Sequence, residues 1–443
     1  MNSRVRICII TYINRNIDNY KTTNQYHTNM KIYPKSYYLA AGILLLAGCS
    51  NDDIPQEPGV KYPTVSEITL SRSETLNNDG LNAFGMQLFN EAAKKDDDNL
   101  VISPTSMALC VSMVANACDK ATEQSILDIM GCKDIESVNT LNRKLMQFLP
   151  DKKNKAVLTL ANSIWHKEDI SPSDAFKSRI SDYYFGDVTP IDFSTVEGID
   201  KLNRWCSDNT NNNIDLGFKP MDEPILMICL NTLYFQGEWA IPFDPKNTDR
   251  QTFSGVRNDV EVEMMHNTTT MHYSESEAWE SVIIPYNGNN SMIVFLPKEG
   301  HSINEIATSI TNEDIMDASK PKIMAEVILS MPKFAAFSSL DLTRELKTLG
   351  VNCKPGDLGN FSGTSTSARE LNINFKHNTC ITTDEKGSVA ASAGAGIIGD
   401  IAAAPSKTIT FTLDHPFIYV IRNATTGSVL VAGRYSQPTS KDS

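Results

Sequence analysis

Few features of this 443-residue chain point to a metal, a nucleotide or a polyanion. There are nine cysteines but no CxxC and no paired spacing, which argues against a zinc site or a disulfide framework. Cys110 and Cys118 fall within an apolar helical run and read as small core residues. His266, His272 and His301 lack metal-ligand spacing and read as surface or structural residues. GxSxG, HExxH and P-loop motifs are absent and no nucleophile–base pair stands out, so no enzyme and no cofactor is expected. Basic charge is scarce. Outside residues 1–48, 34 basic residues face 52 acidic ones, a balance near −18 that excludes nucleic acid or a heparin-like chain as a general partner.

The leading apolar run is short. After Met30, Lys31 and Lys35 precede apolar residues through Leu39 and 43–46, too few to span a bilayer and laid out as a signal peptide. The run ends in LAGC at 46–49, which resembles a bacterial lipobox and implies lipidation of Cys49. The acidic residues just after Cys49 resemble the export tether of surface lipoproteins. Residues 1–29 read as an upstream extension, with Met30 as the start. Residues 1–48 would then be removed, leaving seven cysteines with Cys49 acylated, an odd number. Residues 49–70, with Pro55, Pro58 and Pro63, read as a tether, 71–438 as one domain with no glycine-proline linker or repeat, and 439–443 as a tail.

Within that domain Leu81, Phe84, Gly85, Leu88, Phe89 and Ala92 keep helical spacing. Ser103 before Pro104 reads as the cap of a helix that is apolar nearly all round through Ala117, hence buried. Further helices are expected near 121–130, 135–149, 174–185 and 198–210. After residue 220 strands dominate: 225–236, 281–285, 291–296, 323–331, 408–421 and 428–435. Ile323, Ala325, Val327, Leu329 and Met331 alternate as a half-buried strand does. Helices first and strands later, without βαβ alternation, predicts an α+β fold with a large, mostly antiparallel sheet.

The stretch 382–405 is unlike the rest. After Gly387 nearly every side chain is small, no proline intervenes before Pro405, and no charge intervenes before Asp400. Such a segment predicts an exposed loop that could become a strand. Gly394, Gly396 and Gly399 spell GxGxxG, but no strand precedes them and no helix has room to follow, so the nucleotide reading fails.

Four motifs, in order, carry a resemblance over 71–438 to the serpins. These are NLVISPTS at 99–106, LNTLYFQGEW at 230–239 followed by PFD at 242–244, DEKGSVAA at 384–391, and FTLDHPFI at 411–418. The resemblance implies the serpin fold, with helices on a large sheet plus smaller sheets and an exposed reactive-centre loop. It also implies a monomer that inhibits serine proteases as a suicide substrate. A protease attacks the loop and forms an acyl-enzyme, and the freed segment from Gly387 onward inserts as a new strand. The hinge would comprise Glu385, Lys386, Gly387, Ser388, Val389, Ala390 and Ala391. Ser103, Ser106, Asn231 and His377 match the polar cluster under the sheet, and Trp239 matches the residue at its opening.

Insertion would bury Ser388, Ala390, Ser392, Gly394 and Gly396, none of them charged or bulky. The glycine pair departs from the family pattern and weakens strand propensity. Counted as in the family from the hinge glutamate, Glu385, the resemblance implies a scissile bond at Ile401–Ala402, with Ala403 and Ala404 as alternatives. No Arg or Lys lies between Lys386 and Lys407, so the implied target is elastase-like rather than trypsin-like, with subtilisin-like and papain-like cysteine proteases as alternatives. The competing reading is a non-inhibitory binding protein whose loop is only a substrate. With Cys49 lipidated, the expected location is the cell envelope, as an outer-membrane lipoprotein facing outside or periplasm.

Overall fold

Side-chain caps decide where the helices begin. The computed structural model describes residues 62–152, 155–209, 217–221, 225–320, 322–362, 372–387 and 407–439. Ser71 and Glu74 form a reciprocal capping box that starts α1 (Arg72–Ala93). After β1 (Leu100–Ile102), Ser103 caps α2 (Pro104–Ala117), whose fourteen residues are all buried. Asp119 and Asp134 cap α3 (Lys120–Ile129) and α4 (Ile135–Phe148). Next come β2 (Ala156–Lys167), β3 (Ser171–Pro172), α5 (Asp174–Tyr184), β4 (Asp187–Ile191) and α6 (Val196–Asn209). Strands then dominate: β5 (Ile225–Gly237), β6 (Asp249–Ser254), β7 (Asp259–Glu275), β8 (Trp279–Pro285) and β9 (Asn290–Pro297). Two short helices, α7 (Ile303–Ser309) and α8 (Asn312–Ala318), precede β10 (Ile323–Pro332) and β11 (Phe334–Asp341). The chain continues through α9 (Thr343–Thr348), β12 (Phe361–Ser362), β13 (Asn372–Thr383), β14 (Thr408–Thr412), β15 (Phe417–Asn423) and β16 (Val429–Tyr435).

The fold is α+β, with two main sheets. A nine-stranded sheet runs β1-β16-β15-β9-β8-β7-β10-β14, with β6 also on β7, and a five-stranded sheet runs β11-β13-β5-β2-β4. Most pairs are antiparallel; the exceptions are β10 with β14, β2 with β4, and β13 with β5. A main core lies between the sheets and the helical layer. A second cluster forms where Leu202 and Cys206 of α6 cover Trp165, Ile228 and Leu230 of the five-stranded sheet. Thus β5 is buried on both faces, which is why its sequence reads as a nearly unbroken apolar run.

The structure departs from the sequence-based expectation in several ways. The run 408–421 is two strands, because the chain leaves β10 and passes Pro416, which cannot donate to a ladder, before joining β9 and β16. Strand β2 interrupts the helical half, and the long β7 was missed because its exposed face is polar. Residues 62–70, expected in the tether, lie against the body. Tyr62 stacks on Phe185 at 4.3 Å and donates to Leu160 O, and Val65 N–H donates to Gln147 O. Finally, a disulfide joins Cys110 of α2 to Cys229 of β5, across 119 residues. Local spacing could not reveal that pair.

Candidate functional site

The site is built around the parallel pair at the centre of the five-stranded sheet. Strands β5 and β13 are in continuous register from Met227 opposite Ile373 to Tyr234 opposite Cys380, with a register shift before it that sets Ile225 opposite Asn372. Beyond Thr383 the chain reverses in a tight turn. Asp384 N–H donates to Gly387 O (2.7 Å) and Gly387 N–H returns to Asp384 O (3.2 Å). Gly387 also makes an antiparallel bridge to Glu238 at the end of β5. The reversed chain therefore starts between the ends of the two parallel strands, antiparallel to both.

Gly387 has φ +140°, and a Cβ there would strike Gly237 O and come within 2.7 Å of Glu238 Cα and 2.8 Å of Trp239 N. Only glycine fits so close a wedge. Trp239 holds the turn from one side: its N–H donates to Lys386 O (2.8 Å) and its indole N–H to Asp384 O (2.9 Å). The indole stacks on Tyr286 with ring centroids 4.3 Å apart. From the other side Glu385 is clamped. Lys333 approaches its carboxylate to 2.7 Å, Thr248 Oγ1 donates to it at 2.9 Å, and Phe243 N–H donates to Glu385 O. Burial alone would raise the Glu385 pKa, but the Lys333 and Thr248 hydrogen bonds outweigh it and hold the pKa below the usual carboxylate value.

Further down the same pair lie the remaining residues singled out from sequence. His377 of β13 stands opposite Asn231 of β5, and both are fully buried. Ser103 N–H donates to His377 Nε2 at 2.9 Å, and Thr379 Oγ1 lies 2.6 Å from that nitrogen. A backbone N–H can only donate, so Nε2 accepts and the ring proton sits on Nδ1. Burial pushes the His377 pKa down to about 3, so the ring is neutral. Asn231 donates to Asn162 Oδ1 (2.7 Å). His377 Nδ1, Asn231 Oδ1 and Ser106 Oγ are buried without a hydrogen bond. An unpaired donor and an unpaired acceptor thus face the same layer on opposite banks of the central pair.

The structure brings together Ser103, His377 and Asn231 in one place, and Trp239, Glu385, Lys386 and Gly387 in another. Ser106 joins the first group through its N–H to Ser103 Oγ. Ser388, Val389, Ala390, Ala391, Ile401, Ala402, Ala403, Ala404 and Cys49 lie outside the described residues. Sequence reasoning missed Lys333, Thr248, Thr379, Asn162 and Tyr286. Lys333 had a faint signal, a charge directly after an alternating buried strand; the others had none. It also missed a hydrogen-bonded row of Ser330, His266 and Asp249, with contacts of 2.9 and 3.0 Å. Those residues sit on three neighbouring strands, β10, β7 and β6. Next to Ser330, Leu413 N–H is already spent on Ser330 O, so the row reads as a cross-strand polar ladder.

The five-stranded sheet thus holds a parallel pair, β5 and β13, and the chain after β13 is turned back over the end of that pair. The family model for "Serpin (serine protease inhibitor)" matches residues 79–438. An uncharacterized serpin-like protein of Methanosarcina acetivorans is 27% identical over 426 residues, covering 89% of this chain and 96% of that protein. Human glia-derived nexin is 27% identical over 369 residues, 80% of this chain and 92% of the nexin. Among solved structures, the thermophilic serpin tengpin in its native state superposes with a TM-score of 0.72 at 29% identity, covering 85% of this chain and 97% of tengpin. Native protease nexin-1 crystallised with heparin gives a TM-score of 0.72 at 25% identity, covering 82% and 100%. The chain belongs to the serpin family, whose members are generally protease inhibitors.

Proposed function

We propose that this serpin is a suicide-substrate inhibitor of elastase-like serine proteases, cut at Ile401–Ala402, with residues 387–400 inserting between β5 and β13. The observation that supports this most is Gly387, already bridged to Glu238 on one side and to Asp384 on the other. Continued in the same antiparallel register, Gly394 would face both Asn231 and His377, and Asp400 would face Ile225, the first residue of β5. The strand would thus end one residue before the proposed scissile bond. Residues level with Asn231 share its core-facing side, so Ser388, Ala390, Ser392, Gly394 and Gly396 would enter the core, while Ile398 and Asp400, on the same face, would lie at the far end of the inserted strand, near the start of β5. Gly394, a poor strand former, leaves space where two buried polar side chains need it.

Insertion replaces one parallel ladder with two antiparallel ones, which are slightly better per residue. About a dozen residues gaining ladder bonds at about 0.5–1.5 kcal/mol each release on the order of 6–18 kcal/mol. A protease carried along as an acyl-enzyme is distorted by a pull of that size, and a displacement of about 1 Å at its active site costs on the order of 100-fold in rate. Deacylation stalls. Small residues around 401–404 suit a shallow apolar primary pocket.

We further place the chain on the outer membrane, anchored through a lipid on Cys49 and exposed to the periplasm or the exterior. The Cys110–Cys229 disulfide agrees with an oxidising compartment outside the cytoplasm. Two experiments test the reading. Incubation with an elastase should give an SDS-resistant complex, with a released C-terminal peptide beginning at Ala402 by mass spectrometry. Cleaved serpin without complex would instead make the loop a mere substrate. Cys49→Ala should move the protein out of the membrane fraction, and unchanged fractionation overturns the anchor.

A further inference from the structure

We infer that the Cys110–Cys229 disulfide is a redox latch on the opening of the sheet, slowing insertion when oxidised and releasing it when reduced. The inference rests on the insertion reading above. Cys229 lies on β5, one bank of the central pair, opposite Phe375 of β13. Its partner Cys110 lies midway along α2, beneath the sheet. The same helix is tied to the other bank, through Ser103 N–H donating to His377 Nε2. His377 stands opposite Asn231, two residues along β5 from Cys229. One helix therefore holds both strands that must part, by a covalent bond on one side and a hydrogen bond on the other.

The magnitudes decide which side moves. Admitting a strand requires β5 and β13 to separate by one further interstrand spacing, about 4.8 Å. The Cα atoms of Cys110 and Cys229 are 6.3 Å apart, and a disulfide tolerates at most about 6.8 Å. While the bond is intact, β5 can slide sideways over α2 by only about 2.5 Å at that level before the Cα pair passes that limit, about half the spacing an added strand needs. Nor can α2 follow β5 freely. All fourteen of its residues are buried, Thr105 Oγ1 donates to Val429 O at 2.7 Å, and Asn116 bonds Asn139. Much of the opening must then fall on β13, and it must break the Ser103–His377 bond. Reduction frees β5 to share the motion. A dithiol supplies two electrons and two protons, the Sγ–Sγ bond breaks, both sulfurs leave as thiols, and the reductant closes to its own disulfide.

The test uses the full chain. Non-reducing peptide mapping should find Cys110 linked to Cys229 and distinguish this from Cys118–Cys353, two thiols whose sulfurs are 2.9 Å apart. A synthetic peptide with the sequence of residues 388–400 is then annealed to oxidised protein, to protein kept in dithiothreitol, and to Cys110→Ala and Cys229→Val. Uptake is read as the rise in melting temperature with time. Uptake should be faster by about tenfold or more in the reduced protein and in both variants, and dithiothreitol should change neither variant. Reduced wild type serves alone if a variant fails to fold. Equal rates in oxidised and reduced protein overturn the latch and leave insertion standing, as does a dithiothreitol effect that persists in the variants. Free thiols at both positions in the mapped native chain also overturn it. A melting temperature that rises in no form overturns insertion itself, and the latch with it.

Discussion

Gly387 and His377 show how single residues set the state of the sheet. At Gly387 the backbone is left-handed and wedged against the end of β5, so Gly387→Ala should cost about 1–3 kcal/mol, read as a lower urea midpoint. An unchanged midpoint would mean the turn relaxes without loss. At His377 burial depresses the pKa from 6.5 to about 3. Between those values the unfolded chain binds a proton that the native ring does not. Stability is therefore complete above pH 6.5 and declines as pH falls toward 3, with a slope of up to about 1.4 kcal/mol per pH unit. His377→Gln should flatten the part of that slope between pH 6.5 and 4.5, and equal slopes for both proteins would remove His377 as the cause.

At the scale of elements, the turn after β13 is held by contacts from elsewhere in the chain. Lys333, just before β11, bonds both Glu385 and Glu263, and Thr248 leads into β6. The Glu385–Lys333 pair is mostly buried, so Lys333→Ala should cost on the order of 1–3 kcal/mol. The sign with pH follows from the depressed Glu385 pKa: the pair's contribution is present above the ordinary carboxylate pKa and is lost as pH falls below it. Wild type and Lys333→Ala should thus converge in acid. A constant difference at pH 7 and pH 3 would point to lost packing of the lysine stem instead. The turn and its clamps all lie at one end of β5 and β13 in the five-stranded sheet.

At the scale of the whole molecule the native state carries a central strand pair of the less favourable, parallel kind. If cleavage at Ile401–Ala402 lets residues 387–400 in, the gain of on the order of 6–18 kcal/mol should raise the melting temperature by roughly ten degrees or more. Calorimetry before and after limited elastase digestion measures this directly. A nicked chain melting where the intact one does would leave no stored energy to drive inhibition.

Much of this was legible in the sequence because it depends on near neighbours. Ser71, Ser103, Asp119 and Asp134 cap helices three residues away, and the alternation in 323–331 follows from the pleat alone. The small residues after Gly387 and the absence of Arg and Lys before Lys407 are likewise written in the chain. Tertiary structure alone decided the rest, because each of those contacts joins residues far apart in sequence. Strands β5 and β13 lie side by side and parallel, Lys333 and Thr248 close on Glu385, and Cys110 meets Cys229. A residue's own surroundings fix its cap or its pleat; only the folded chain fixes which strands are neighbours, and so where another strand could enter.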